Sequence, residues 1–136
     1  VGCMIRLEYL NLAGNRVANL PHEMSSLQDL KTLDIRKNEF NRLPDALMYF
    51  TSLTKLSAQH NHLVTISSVL GECKVLEELW LQGNRLTSIH PLIGDLGCLR
   101  VLNLGENQVT SIPPHVGNCA ALRHLGLYGN GLARLP

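Results

Sequence analysis

The chain has 136 residues, a formal net charge of +1 and an apolar content of 45%. This is the size of one domain with enough apolar side chains to bury a core, and the near-balanced charge argues against nucleic acid or anionic lipid as the main partner. No window approaches the roughly 18 consecutive apolar residues that a membrane span needs.

Read in chain order, one pattern recurs every 23 residues, L-x-x-L-x-L-x-x-N-x-L. The first copy is Leu7, Leu10, Leu12, Asn15 and Val17, and the second is Leu30, Leu33, Ile35, Asn38 and Phe40. The third is Leu53, Leu56, Ala58, Asn61 and Leu63, and the fourth is Leu76, Leu79, Leu81, Asn84 and Leu86. Leu99, Leu102, Leu104, Asn107 and Val109 form the fifth, and Leu122, Leu125, Leu127, Asn130 and Leu132 the sixth. In each, the x-L-x-L-x stretch alternates as a half-buried strand does, which predicts strands at 9–13, 32–36, 55–59, 78–82, 101–105 and 124–128.

The rest of the period repeats as well. Five places after each asparagine comes Leu20, Leu43, Ile66, Ile89, Ile112 or Leu135, and proline follows at 21, 44, 113 and 136. Ser67 and His90 break the proline row. Two further apolar rows are Met24, Leu47, Leu70, Ile93, Val116 and Leu27, Phe50, Cys73, Leu96, Cys119. This half predicts a short helical or irregular segment opposite the strands.

A unit this small cannot bury its apolar side alone. Stacking buries it against its neighbours, so a repeat period of this length reads as a solenoid. The asparagines have a structural reason to recur: a backbone turning inward leaves N–H and C=O groups that an amide side chain can satisfy. Asn15, Asn38, Asn61, Asn84, Asn107 and Asn130 are therefore expected to form a ladder. Ala58 replaces a Leu or Ile, which predicts slightly weaker packing there.

The pattern resembles the leucine-rich repeat, and the resemblance covers the whole chain. It implies an α/β solenoid with a curved, parallel, concave β-sheet and an irregular or helical convex side. One domain is expected over 1–136, with a partial repeat at 1–6 and repeats starting at 7, 30, 53, 76, 99 and 122. No capping element is visible at either end, Val1 falls midway through a repeat, and Pro136 ends before a period is complete; a piece of a longer chain is the expectation. The 23-residue period with Leu-Pro after the asparagine is similar to the intracellular class of Scribble- and Erbin-type scaffolds, the Shoc-type Ras scaffold, plant Ras-group proteins and Roco proteins. That resemblance implies a cytoplasmic signalling scaffold or adaptor that grips a partner protein, such as a small GTPase or phosphatase, on its concave face. The alternatives are a recognition or regulatory segment of a larger multidomain enzyme, or a structural subunit of a large assembly.

Three absences fit an intracellular setting. None of the asparagines lies in an Asn-x-Ser/Thr sequon, the four cysteines (Cys3, Cys73, Cys98, Cys119) make no cap-like cluster, and the N-terminus has no signal-peptide pattern. Cys73 and Cys119 occupy core positions two repeats apart, about 10 Å at strand spacing, beyond disulfide reach. Cys3 and Cys98 are expected to be partly exposed.

The outward strand positions supply the candidate interaction face. Trp80, the only tryptophan, points outward near the middle of the array and is the leading hot-spot candidate; the competing reading is that it only shields Ser57 and Asn103. Tyr9 and Tyr128 lie towards opposite ends. Lys31, Arg36, Lys37 and Lys55 form a basic group on repeats two and three, suited to an acidic partner segment. The competing reading is a solvated face with Lys55–Glu78 cross-strand pairing. Gln59, Glu78, Gln82 and Asn103 complete the candidate set, and Glu77, Arg100, Arg123 and His124 occupy further outward positions. His60 and His62 lack a third metal ligand at suitable spacing, and no HExxH, P-loop or nucleophile elbow is present. No enzyme activity, metal or cofactor is expected.

Overall fold

A computed structural model describes residues 6–135; the expectations for Val1, Cys3 and Pro136 concern residues outside that range. Six three-residue strands run β1 Tyr9–Asn11, β2 Thr32–Asp34, β3 Lys55–Ser57, β4 Glu78–Trp80, β5 Val101–Asn103 and β6 His124–Gly126. They form one sheet in sequence order, all neighbours parallel, with Tyr9, Thr32, Lys55, Glu78, Val101 and His124 in register. The strands are shorter than the apolar alternation predicts because the backbone turns soon after them. Inter-repeat pairing nevertheless continues past each end, as where the Leu12 N–H donates to the Asp34 carbonyl at 2.8 Å.

Between strands lie five-residue 3-10 helices: η1 His22–Ser26, η2 Asp45–Tyr49, η3 Ser68–Glu72, η4 Pro91–Asp95 and η5 Pro114–Asn118. A segment of this length cannot nucleate an α-helix, whereas one tight turn suffices for 3-10 geometry. The proline row sets the entry. Pro21, Pro44 and Pro113 sit at φ −66°, −68° and −69° with extended ψ, the geometry their rings impose. Ser67 and His90 adopt the same backbone without a ring and substitute a side-chain cap. Ser67 Oγ accepts from the Val69 N–H at 3.4 Å, and His90 Nδ1 from the Leu92 N–H at 3.0 Å.

The core runs the length of the stack. Leu33, Leu56, Leu79 and Leu102 are fully buried beneath the sheet, with Ile35, Ala58, Leu81 and Leu104 beside them. Leu47, Leu70 and Ile93 pack from the opposite wall. Cys73 and Cys119 lie buried in that wall as small apolar residues, each thiol donating to a carbonyl one repeat back, Leu47 at 3.5 Å and Ile93 at 3.0 Å. Burial pushes the Cys73 thiol up to about 12. Cys98 is exposed.

The asparagine column ties successive repeats together. Asn61 Nδ2 donates to Ile35 O at 3.0 Å and Ala58 O at 3.2 Å, while its Oδ1 accepts from the Phe40 N–H at 3.1 Å. Asn38, Asn84, Asn107 and Asn130 repeat this bridge one period apart. Among the described residues Asn15 bonds within its own repeat, to Leu12 O and Ala13 O. Immediately before each asparagine the backbone is left-handed: Gly14, Gly83 and Gly129 have φ near +70°, and Lys37, His60 and Glu106 lie at +55°, +56° and +53°. Non-glycine residues accept that strain because the inward turn after the strand requires it.

Candidate protein-interaction face

The four inner strands bury their central leucines and turn the two flanking residues towards the other face, so that sheet face is built of columns spaced 23 residues apart. Five columns matter: those containing Glu77, Glu78, Trp80, Gln82 and Gly83. Across them the structure distinguishes residues free to meet a partner from those already engaged.

Trp80 lies at the centre, half-buried, in register with Ser57 on one side and Asn103 on the other. Its indole N–H donates to Glu78 Oε1 at 3.1 Å. The ring is thus held in one orientation by a residue of the same strand face, and its polar edge needs no further partner. Gln82, two residues on, and Gln59 in the adjacent repeat each bury a side-chain carbonyl oxygen with no hydrogen-bond partner among the described residues. Burying such an acceptor unsatisfied costs about 1–3 kcal/mol, so a small movement towards a partner's donor is favoured.

Several sequence-derived candidates are placed differently from expectation. Asn103 is only 7% exposed, and its Oδ1 accepts from the Gly105 N–H at 3.0 Å; it caps the turn after β5 and presents little surface. Asp34 and Asn11 do the same for Arg36 and Ala13. The basic group on repeats two and three is partly neutralised from within. Lys31 Nζ lies 2.6 Å from Glu8 Oε1, a hydrogen bond and charge that raise the lysine above its ordinary 10.5. Arg36 Nε lies 3.2 Å from Asp34 Oδ2. Lys37 and Lys55 form no ion pair among the described residues. Lys55 stands in register with Glu78, whose Oε1 accepts the indole N–H, and no Lys55–Glu78 ion pair is formed among the described residues.

The tyrosines are well exposed, Tyr9 at 56% and Tyr128 at 54%, but stand on β1 and just past β6, apart from Trp80. Tyr128 lies over Gly105: a Cβ on that glycine would fall 2.2 Å from the phenol ring. The His60 ring covers Gly83 in the same way, with a Cβ there 2.3 Å from Nδ1. Glycine at these points lets the side chain of a neighbouring repeat lie flat against the face, and a Cβ there would push the ring aside. Arg100 and Arg123 share one column of the 23-residue frame, a placement that the sequence spacing alone carries. Both are exposed and side by side, the Arg123 N–H donating to the Arg100 carbonyl at 2.8 Å.

Among the described residues no group of three or more His, Cys, Asp or Glu is placed to hold a metal ion. Among the described residues no helix is long and apolar enough to cross a membrane.

Comparison with known proteins agrees with this architecture. The sequence matches the leucine-rich repeat region over residues 1–104 and a single leucine-rich repeat over 98–119. No curated protein sequence matches it. Among solved structures, a leucine-rich-repeat protein of Leptospira interrogans is 30% identical with a TM-score of 0.73, over 96% of this chain and 39% of its own. An internalin of Listeria monocytogenes is 25% identical with a TM-score of 0.79, over 96% of this chain and 37% of its own. A TDR receptor is 30% identical with a TM-score of 0.81, over 93% of this chain and 23% of its own. The chain thus spans well under half the length of each. With repeats in register, an asparagine column bridging them and residues 1–104 matched to that region, the chain belongs to the leucine-rich repeat family.

Proposed function

We propose that this chain is a protein-interaction module that binds a partner protein across its exposed strand face, centred on Trp80. A leucine-rich-repeat fold supports a protein-interaction role in general. The observation that carries the site is the indole itself: a single tryptophan, half-exposed at the middle of the sheet and locked by Glu78. A rigid aromatic surface with its polar edge already satisfied loses little entropy on contact, the profile of an interface anchor. We place it in a cytoplasmic scaffold or adaptor for signalling proteins, small GTPases and phosphatases being the partner classes that the resemblance to intracellular leucine-rich-repeat scaffolds implies. The reading as a regulatory segment of a larger multidomain protein draws on the share of the matched chains that it spans.

A second reading, a structural subunit contacted from outside, has one observation in its favour. Met48 and Tyr49 are exposed on η2, where His22 meets the Tyr49 ring edge-on at 6.3 Å. Affinity capture from lysate with three proteins separates the two readings: wild type, Trp80→Ala with Lys55→Glu, and Met48→Ser with Tyr49→Ser. The strand-face reading expects partners identified by mass spectrometry to be lost only from the Trp80 variant. Loss confined to the η2 variant overturns it.

A further inference from the structure

We propose that the partner presents an acidic extended segment, and that Arg100 and Arg123 are the residues that receive it. The inference rests on the strand-face reading and assigns its charge. Among the cations of the face, Lys37 and Lys55 form no ion pair among the described residues but carry a single ammonium group that cannot fork onto a carboxylate, while Lys31 and the forked Arg36 are taken by Glu8 and Asp34. Arg100 and Arg123 are not: both are exposed and form no ion pair among the described residues.

Their placement is fixed by the backbone. The carbonyl of Arg100 accepts from the N–H groups of both Arg123, at 2.8 Å, and His124, at 3.0 Å. Two guanidinium-bearing side chains therefore leave adjacent parallel strands, roughly 4.8 Å apart at their origins. Like charges on neighbouring strands oppose the isolated fold, and an anionic partner relieves that repulsion. The nearby acids do so only in part. Glu77, whose carbonyl accepts the Arg100 N–H at 2.7 Å, offsets some of the Arg100 charge from the next strand, but its carboxylate forms no ion pair among the described residues and lies two strands from Arg123. Glu78 is held by Trp80, and Glu106 lies at the far end of the turn after β5, in its left-handed position.

The planar fork of arginine matches a carboxylate with two parallel hydrogen bonds. An extended segment lying across β6, β5 and β4 would set carboxylates on Arg123 and Arg100 and carry an apolar side chain onward to Trp80. Protein carboxylates, rather than nucleic acid, fit a face that combines two forked cations with one aromatic anchor on a chain of net charge +1.

The test uses an array of fluorescein-labelled synthetic peptides, each with two to four Asp or Glu residues preceding or following a Leu, Phe or Trp. Controls are the same peptides with Lys for every acid, and an oligothymidine of similar length. The proteins are wild type, Arg100→Gln with Arg123→Gln, Arg100→Glu with Arg123→Glu, Trp80→Ala, and Lys74→Glu as a surface charge control. Circular dichroism verifies each fold. Saturable binding of acidic–apolar peptides is expected. It should weaken about fivefold in the Gln pair, tenfold or more in the Glu pair and within twofold in Lys74→Glu, and be absent for the Lys peptides. No saturable peptide binding, equal losses in Lys74→Glu and the Glu pair, or equally tight binding of oligothymidine overturns the inference. In lysate capture, a partner lost by Trp80→Ala but kept by both arginine pairs also overturns it and leaves the strand-face reading standing. Retention by all three variants overturns that reading itself.

Discussion

At the residue scale, the asparagine column explains how a chain of three-residue strands stays rigid. From Asn38 to Asn130 each ladder amide donates to two repeats and accepts from one, so removing one orphans a backbone donor. In Asn61→Ala, the carbonyls of Ile35 and Ala58 keep bonds from Asn38 and Asn84, but the Phe40 N–H has nothing left. Urea unfolding should show a loss of about 2–4 kcal/mol. Asn15→Ala, at an exposed asparagine bonded within its own repeat, should lose less than about 1 kcal/mol. Equal losses would mean that the bridge between repeats contributes nothing. The buried thiols give a pH signature. Cys73 is held neutral in the fold, its pKa raised by burial from 9.0 to about 12. Unfolded chains therefore release a proton that folded chains keep, so this contribution to stability is intact below about pH 8.5 and declines as pH rises further. Iodoacetamide labelling with peptide mapping at pH 8 should modify Cys98 in the native protein and Cys73 and Cys119 only after unfolding.

At the element scale, the 23-residue period exposed nearly the whole layout: six strands, their register, and the apolar rows that become the core. The 3-10 character of the opposite wall was not legible, because a five-residue segment with as few as one core side chain, such as Met24 in η1 or Val116 in η5, reads equally as irregular or helical until hydrogen bonds decide. Nor was the compensation at Ser67 and His90, which depends on rotamers. Ser67 occupies φ −73°, ψ 150°, a geometry proline adopts freely, and its own cap is long at 3.4 Å. Ser67→Pro should therefore raise stability by about 0.5 kcal/mol through a less flexible unfolded chain; a lowered midpoint in thermal unfolding would show that the cap outweighs the ring. The interaction face was legible as columns but not as chemistry. The frame placed Trp80, Lys31 and Arg36 on it, yet side-chain pairing decides which charges stay free: Lys31 and Arg36 are engaged, whereas Lys37, Lys55, Arg100 and Arg123 form no ion pair among the described residues.

At the scale of the whole molecule, stability is a sum of nearest-neighbour interfaces. Central rows have a repeat on both sides and terminal rows only one: Leu56 and Leu79 are fully buried, whereas Leu125 on β6 is 38% exposed. Hydrogen exchange should therefore be slowest at the amides of Lys55, Glu78 and their neighbours and fastest around β1 and β6; uniform protection would contradict a stack stabilised by its interfaces. The same geometry centres the proposed binding face on the most rigid strands, where an anchor is least costly to hold in place.

The central claim is that a partner seats on Trp80, and this tryptophan is the only one in the chain. Fluorine NMR of 5-fluorotryptophan-labelled protein gives one resonance to watch during titration with the captured partner or an acidic–apolar peptide. Binding at the strand face predicts that this resonance shifts or broadens to saturation, with a dissociation constant matching that from peptide fluorescence. Saturable binding with the resonance unmoved would place the contact elsewhere and contradict the account.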